Sequence, residues 1–257
     1  MKYLLSVALM SFIMYACNSE EAKEKTENKK TEQTKQVEKP VEKAKQAAPK
    51  PAGNVVVPEF NSKTKVGKEG RKVKISTSYG DMVAVLHDET PLHRDNFIKL
   101  ADAGYYNDML FHRIIAGFMI QGGDPMSKTA TKGQPLGMGG PGYTVPAEFN
   151  SDLFHKKGAL SAARMGDAQN PQKASSGSQF YIVQGRKYPA AQMGQIKNEE
   201  AKKAYAEVGG TPNLDGGYTV FGQVIEGLDV IDKIAAVQKD GRDRPLEDLK
   251  MTIKVIK

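Results

Sequence analysis

The chain has few of the residues that carry most enzyme chemistry. Of its 257 residues one is cysteine, none is tryptophan and four are histidine. A single Cys17 allows no disulfide within the chain and no cysteine-based metal site. His87, His93, His112 and His155 show no i, i+4 pairing and have no partner cysteine, so zinc ligation is not expected and no metal or cofactor is implied. There is no Gly-x-Ser-x-Gly elbow, and paired carboxylates are missing from the apolar strands, which argues against serine hydrolases and glycosidases. The formal charge of +7 is spread over alternating Lys and Glu, with no basic block interleaved with aromatics, so it reads as solubility and nucleic acid is not an expected partner. The glycine-rich loop from Gly133 to Gly142 lacks a Gly-Lys-Ser/Thr ending and precedes no good helix, which speaks against a phosphate loop.

Three regions divide what is present. Lys2 followed by the apolar stretch Tyr3 to Ala16 has the form of an export signal and is too short to span a bilayer. Met14-Tyr15-Ala16-Cys17 resembles a bacterial lipoprotein box, which implies residues 1–17 as signal peptide and Cys17 as the lipid-bearing residue. Residues 18–66 are rich in Lys, Glu, Gln, Thr and Pro and cannot bury enough surface to offset chain entropy. A disordered tether is expected there, and its residues 18–53 as a random coil would span on the order of 30 to 40 Å. Globular sequence fills residues 67–257.

Within that region Val73, Ile75 and Thr77 alternate with polar residues, Gly80-Asp81 suits a turn, and Met82 to Leu86 completes a hairpin. Thr90-Pro91 supplies an N-cap and a first-turn proline for a helix that Gly104 closes. Ala159 to Arg164 and Ser178 to Val183 read as strands, Gln195 to Val208 as a short amphipathic helix, Tyr218 to Val224 as a strand, Leu228 to Val237 as a helix and Met251 to Ile256 as a closing strand. Many short strands with a few helices point to a mainly β barrel with helical plugs.

The stretch LFHRIIAGFMIQGGD, residues 110–124, organises the rest. It reads as two strands joined at Ala116-Gly117, placing the Arg113 guanidinium and the Gln121 amide among Phe111, Phe118 and Met119. Alternation turns His112 away from Arg113, so a packed or hydrogen-bonded structural role is expected for it. Arg113, Gln121 and Gln179 with apolar neighbours can polarise an amide without cleaving it. Rotation about an X-Pro bond needs no more than this, since its barrier of ~18–20 kcal/mol comes from amide resonance.

From about residue 70 to 257 the chain resembles the cyclophilin-type peptidyl-prolyl isomerases, carrying FHRIIAGFMIQGGD, GGPGY, LSAAR, GSQFYI and LDGGYTVFGQV in that family's order. The resemblance implies a closed eight-stranded antiparallel β-barrel capped by two helices, with an extra short helical insertion at 186–212. It implies Arg113 as the catalytic arginine and Gln121 as its support. Phe118, Met119, Tyr181 and Leu214 would line the proline pocket. Ala163 and Arg164 would pair with the peptide, Gln179 would lie beside them, and Tyr218 falls where many members have His. Tyr181 stands where Phe is commoner, and its added hydroxyl needs water or a partner. Asn213 replaces an aromatic that helps bind cyclosporin, which implies weak sensitivity to it. The expected partners are proline-containing polypeptides and a membrane reached through Cys17, with the chain acting as a monomer in the cell envelope, at the outer membrane on its periplasmic or surface side. A chaperone or scaffold that grips proline segments with little turnover uses the same residues.

Overall fold

Val73 and Ile75 alternate with lysine, and the computed structural model, which describes residues 71–256, turns this pattern into strand β1 (Lys72–Thr77) with both apolar side chains fully buried. The expected signal peptide, Cys17 and the tether lie outside the described residues. β1 pairs antiparallel with β2 (Gly80–Leu86), Thr77 opposite Gly80, so the turn is Ser78-Tyr79 and the expected turn residues Gly80-Asp81 begin the second strand.

Helix α1 (Pro91–Asp102) begins at the expected proline and ends at Gly104, whose φ of +66° lets Tyr105 N–H reach back to the Leu100 carbonyl at 2.9 Å. Its start is capped from elsewhere. Thr90 makes no side-chain cap and its buried hydroxyl has no partner. The Glu148 carboxylate instead accepts the N–H groups of Leu92 and His93, both at 3.0 Å. A charge brought from a distant loop thus serves the orphan donors of the first turn, where the helix dipole also favours an anion.

The strands β3 (Met109–Leu110), β4 (Arg113–Ile115), β5 (Met119–Gly122), β6 (Thr144–Val145), β7 (Ala159–Ala162), β8 (Ser175–Ser176) and β9 (Phe180–Val183) follow. Helix α2 (Glu199–Glu207) lies in the expected insertion, capped by the Asn198 side chain on Ala201 N–H at 3.0 Å. Strand β10 (Val220–Glu226), helix α3 (Leu228–Ala235) and β11 (Lys250–Ile256) complete the chain. α2 starts later than Gln195 because Asn198 provides the first cap that can end the preceding loop.

The main sheet has nine strands in the order β3-β11-β1-β2-β10-β7-β9-β5-β4, and its assigned pairings are antiparallel. This corrects the expected closed eight-stranded barrel. The end strands β3 and β4 are separated in the chain only by Phe111 and His112, yet no ladder joins them. Loops cover their edges. Leu110 N–H donates to Ser127 Oγ at 3.0 Å and Ile114 N–H to the Asp243 carbonyl at 2.8 Å. Edge groups satisfied in this way leave nothing to drive closure.

Phe180 anchors the core under this sheet. Its ring meets Phe97, Tyr106 and Phe111 edge-on, at 5.3, 5.7 and 6.2 Å between centroids. A separate apolar cluster of Met119, Ala159, Tyr181, Val183 and Val220 lies under the expected pocket.

Candidate active site

The β4–β5 hairpin sets Arg113 opposite Gln121. Arg113 Nη1 donates to Gln121 Oε1 at 3.3 Å, and Gln121 Nε2 donates to Gln179 Oε1 at 3.2 Å. Gln179 Nε2 then donates to the carbonyls of Gly137 and Gly139, at 3.0 and 2.6 Å. This chain of amides fixes which way each carboxamide faces and leaves Arg113 with donors to spare. The glycine-rich loop is held from its other side by the fully buried Asp124, which accepts Gly137 N–H at 2.5 Å and Gly139 N–H at 3.2 Å. Glycine is required for that approach, because a Cβ at Gly139 would lie 2.1 Å from Asp124 Oδ1.

Beside this network runs an open groove of about 470 Å³. Arg113, Phe118, Met119 and Gln121 enter it from the hairpin, and Ala163 and Arg164 from the end of β7. Tyr181 comes from β9, and Leu214 and Tyr218 from the segment before β10. Every expected groove residue is there except Gln179, which is buried behind Gln121 with both ends of its amide engaged. Phe118 and Met119 share the groove because Phe118 precedes β5 and escapes its alternation. Leu214 lies in a 3-10 turn, Pro212–Leu214, and Asn213 between them is exposed.

Arg164 has a different environment from Arg113. Its Nε donates to the Gly217 carbonyl at 2.8 Å, its Nη1 to Asp167 at 2.6 Å, and its guanidinium lies 4.3 Å from the Tyr218 ring centroid. The side chain is therefore occupied in shaping the groove wall. Ala163 has both peptide groups in use, its N–H to the Gln179 carbonyl and its carbonyl to Ser176 N–H, so an incoming peptide would meet this edge at the backbone of Arg164.

His112 departs from expectation. It sits between β3 and β4, outside either strand, so alternation does not apply and its ring lines the groove with Arg113. The ring is buried with no hydrogen-bond partner on either nitrogen, and its approach to the Leu110 backbone falls short of hydrogen-bond geometry. Burial pushes its pKa down to about 4, with Asp124 opposing. In an unfolded chain the same ring titrates near ~6.5. Between those values the unfolded state holds the extra proton, so stability falls as pH drops from the upper value to the lower. Urea midpoints taken between pH 7 and 4 are expected to decline less in His112→Gln, by an amount on the order of 2 kcal/mol. Parallel declines in both proteins would show that the ring takes up its proton in place.

Four groove residues have no sequence signal. Gln134, Asp240, Arg242 and Arg244 border its far end, where Arg244 donates to the Gln134 carbonyl and so ties two distant loops together. In sequence, Lys239 to Arg244 looks like a solvated charged turn. A chain shaped like a hydrolytic triad also appears, with Ser175 Oγ 2.9 Å from His93 Nε2 and His93 Nδ1 2.7 Å from Glu148. Ser175 is 1% exposed and is absent from the groove lining, and Glu148 is committed to capping α1, so this chain is structural.

An open antiparallel sheet thus brings the arginine of its β4–β5 hairpin into one groove with Phe118, Met119, Tyr181 and Leu214. Comparison with known proteins identifies the family. Residues 72–255 match the profile of the cyclophilin type peptidyl-prolyl cis-trans isomerases, and the chain belongs to that family. A Staphylococcus saprophyticus protein provisionally named a peptidyl-prolyl cis-trans isomerase is 42% identical over 200 residues, covering 75% of this chain and 93% of the relative. Among solved structures, a Cryptosporidium parvum cyclophilin type isomerase superposes with a TM-score of 0.55 at 27% identity, over 73% of this chain and 98% of that one. The same isomerase in the presence of the dipeptide Ala-Pro gives a TM-score of 0.54 at 26% identity, over 72% and 99%.

Proposed function

We propose that the groove accelerates rotation about X-Pro bonds in proteins exported to the cell envelope and so assists their folding. The observation that carries this reading is the placement of Arg113, held by Gln121, beside Phe118, Met119, Tyr181 and Leu214 in one groove. A proline ring buried among the apolar residues brings its imide nitrogen under the guanidinium. A hydrogen bond to that nitrogen draws its lone pair out of conjugation with the carbonyl, and the bond then turns as a single bond. No bond is made or broken, so no nucleophile is required. Each 1.36 kcal/mol removed from the barrier is about tenfold in rate, and one charged donor acting in a partly desolvated groove can supply several such steps. The Ala-Pro dipeptide used with the related Cryptosporidium isomerase supports a proline-containing substrate. The test is exchange spectroscopy on an Ala-Pro peptide with the intact chain. Exchange no faster than in buffer alone overturns the reading.

The placement in the envelope rests on the amino-terminal sequence, where Lys2, the apolar stretch to Ala16 and Cys17 form a leader with a lipid-accepting cysteine. One acyl chain alone gives only marginal membrane binding. The diacylglycerol and amide-linked chain of a processed lipoprotein cysteine would hold the domain on its tether. Cells fed labelled palmitate are expected to label the wild-type protein and not Cys17→Ser. Equal labelling, or none in either, removes the anchor.

A further inference from the structure

Tyr181 puts a hydroxyl at the wall of an apolar pocket, and that hydroxyl is taken up behind the wall. Its oxygen lies 3.0 Å from His155 Nε2, and His155 Nδ1 lies 2.8 Å from Asp215 Oδ1. His155 has no exposed surface and does not border the groove. A carboxylate oxygen accepts, so the Asp215 contact favours the tautomer with its proton on Nδ1, in which Nε2 accepts from the Tyr181 hydroxyl. Asp215 is fixed in turn. Its Oδ1 also accepts the His155 backbone N–H at 2.9 Å, and its Oδ2 accepts the Tyr205 hydroxyl at 2.6 Å.

This line of side chains starts in the insertion and ends at the pocket. Tyr205 is a buried residue of α2, and Asp215 directly follows Leu214, which lines the groove. Two pocket residues, Tyr181 and Leu214, are thus tied to one relay, buried at His155 and Tyr205 and exposed at Asp215. The His155 and Tyr181 rings lie nearly parallel, at 12°, while Tyr218 meets Tyr181 edge-on at 80°.

We propose that His155 is a positioning residue of the isomerase site. Supported by Asp215 and by Tyr205 from the insertion, it draws the Tyr181 hydroxyl away from the groove and keeps that wall apolar for the proline ring. A hydroxyl deprived of His155 seeks another partner; the buried Ser161 hydroxyl beside it, itself without one, is one candidate, and water entering the groove that Tyr181 lines is the other. Water or a substrate carbonyl recruited there competes with the ring the pocket receives. The insertion at 186–212 accordingly acts on substrate binding without touching substrate. This inference rests on the groove being where isomerisation occurs.

The experiment is a double-mutant cycle on the intact chain with an Ala-Pro peptide. In His155→Asn the shorter amide can still donate to Asp215 in place of Nδ1 but cannot reach Tyr181. KM is expected to rise roughly tenfold with kcat little changed, the signature of lost ground-state binding. Made in a Tyr181→Phe background, the same substitution is expected to change KM by less than about twofold, because no hydroxyl remains to be released. A similar KM rise in both backgrounds makes His155 merely structural and overturns the proposal, as does no rise in either. If His155→Asn fails to fold, Asp215→Asn enters the same cycle, since it removes the carboxylate that sets the imidazole tautomer. The groove reading fails separately, if Arg113→Ala leaves turnover intact. An Arg113 effect without coupling between positions 155 and 181 sinks only the relay.

Discussion

Arg113→Ala is expected to lower kcat/KM for an X-Pro peptide by roughly 10²–10³-fold, the usual cost of removing one donor aimed at developing transition-state charge. The unfolding midpoint is expected to move little. Arg113 is only half-buried, and its recorded hydrogen bond to Gln121 is a long 3.3 Å. Deleting such a partly exposed side chain usually costs under ~1 kcal/mol. Activity and stability therefore separate at this position, and the separation identifies a group that works in the reaction. Arg113→Lys refines the test. Lysine keeps the charge but loses the planar fork that can hold Gln121 and the substrate together, so only part of the rate is expected to return. Rates within threefold of wild type for the alanine variant, measured by peptide exchange or proline-limited refolding, would remove Arg113 from the mechanism.

The second large effect lies under the sheet. Phe180→Ala is expected to destabilise the protein by about 3–5 kcal/mol, read as a lower urea midpoint at unchanged slope. Phe180 is 1% exposed and its ring lies edge-on to three other aromatic rings, so truncation leaves a cavity between elements that cannot close together. A small domain has only ~5–15 kcal/mol in total, so the loss is a large share of it. Turnover by the fraction that stays folded should also fall, because Tyr181 follows Phe180 on β9 and Gln179 directly precedes the strand, so both depend on where Phe180 sits. A loss below 1 kcal/mol would mean that the cluster repacks around the missing ring.

Much of the site could be read in order along the chain. The β4–β5 hairpin is local, but a two-residue turn at Ala116-Gly117 would set Arg113 opposite Ile120; Phe118 joins the connection, and the register then pairs Arg113 with Gln121. The family's motifs then supplied Ala163, Arg164, Tyr181, Leu214 and Tyr218, and the groove contains all five. Periodicity misplaced His112 because it assumed strand where the chain is irregular. The Thr90 cap failed for a related reason. A sequence window sees the nearest candidate, while the Glu148 carboxylate that holds the helix start comes from 55 residues away.

The amino-acid sequence by itself determined the family and the hairpin that carries Arg113. These rest on local spacing and residue type, which short-range sterics and hydrogen bonding translate directly into geometry. Tertiary structure decided that the sheet stays open, that Asp240, Arg242 and Arg244 border the groove, and that the Tyr181 hydroxyl is handed to His155, Asp215 and Tyr205. Each of those depends on groups far apart in the chain whose pairing is set by burial. A polar atom taken out of water accepts whichever partner the fold brings within reach, and no local pattern names that partner in advance.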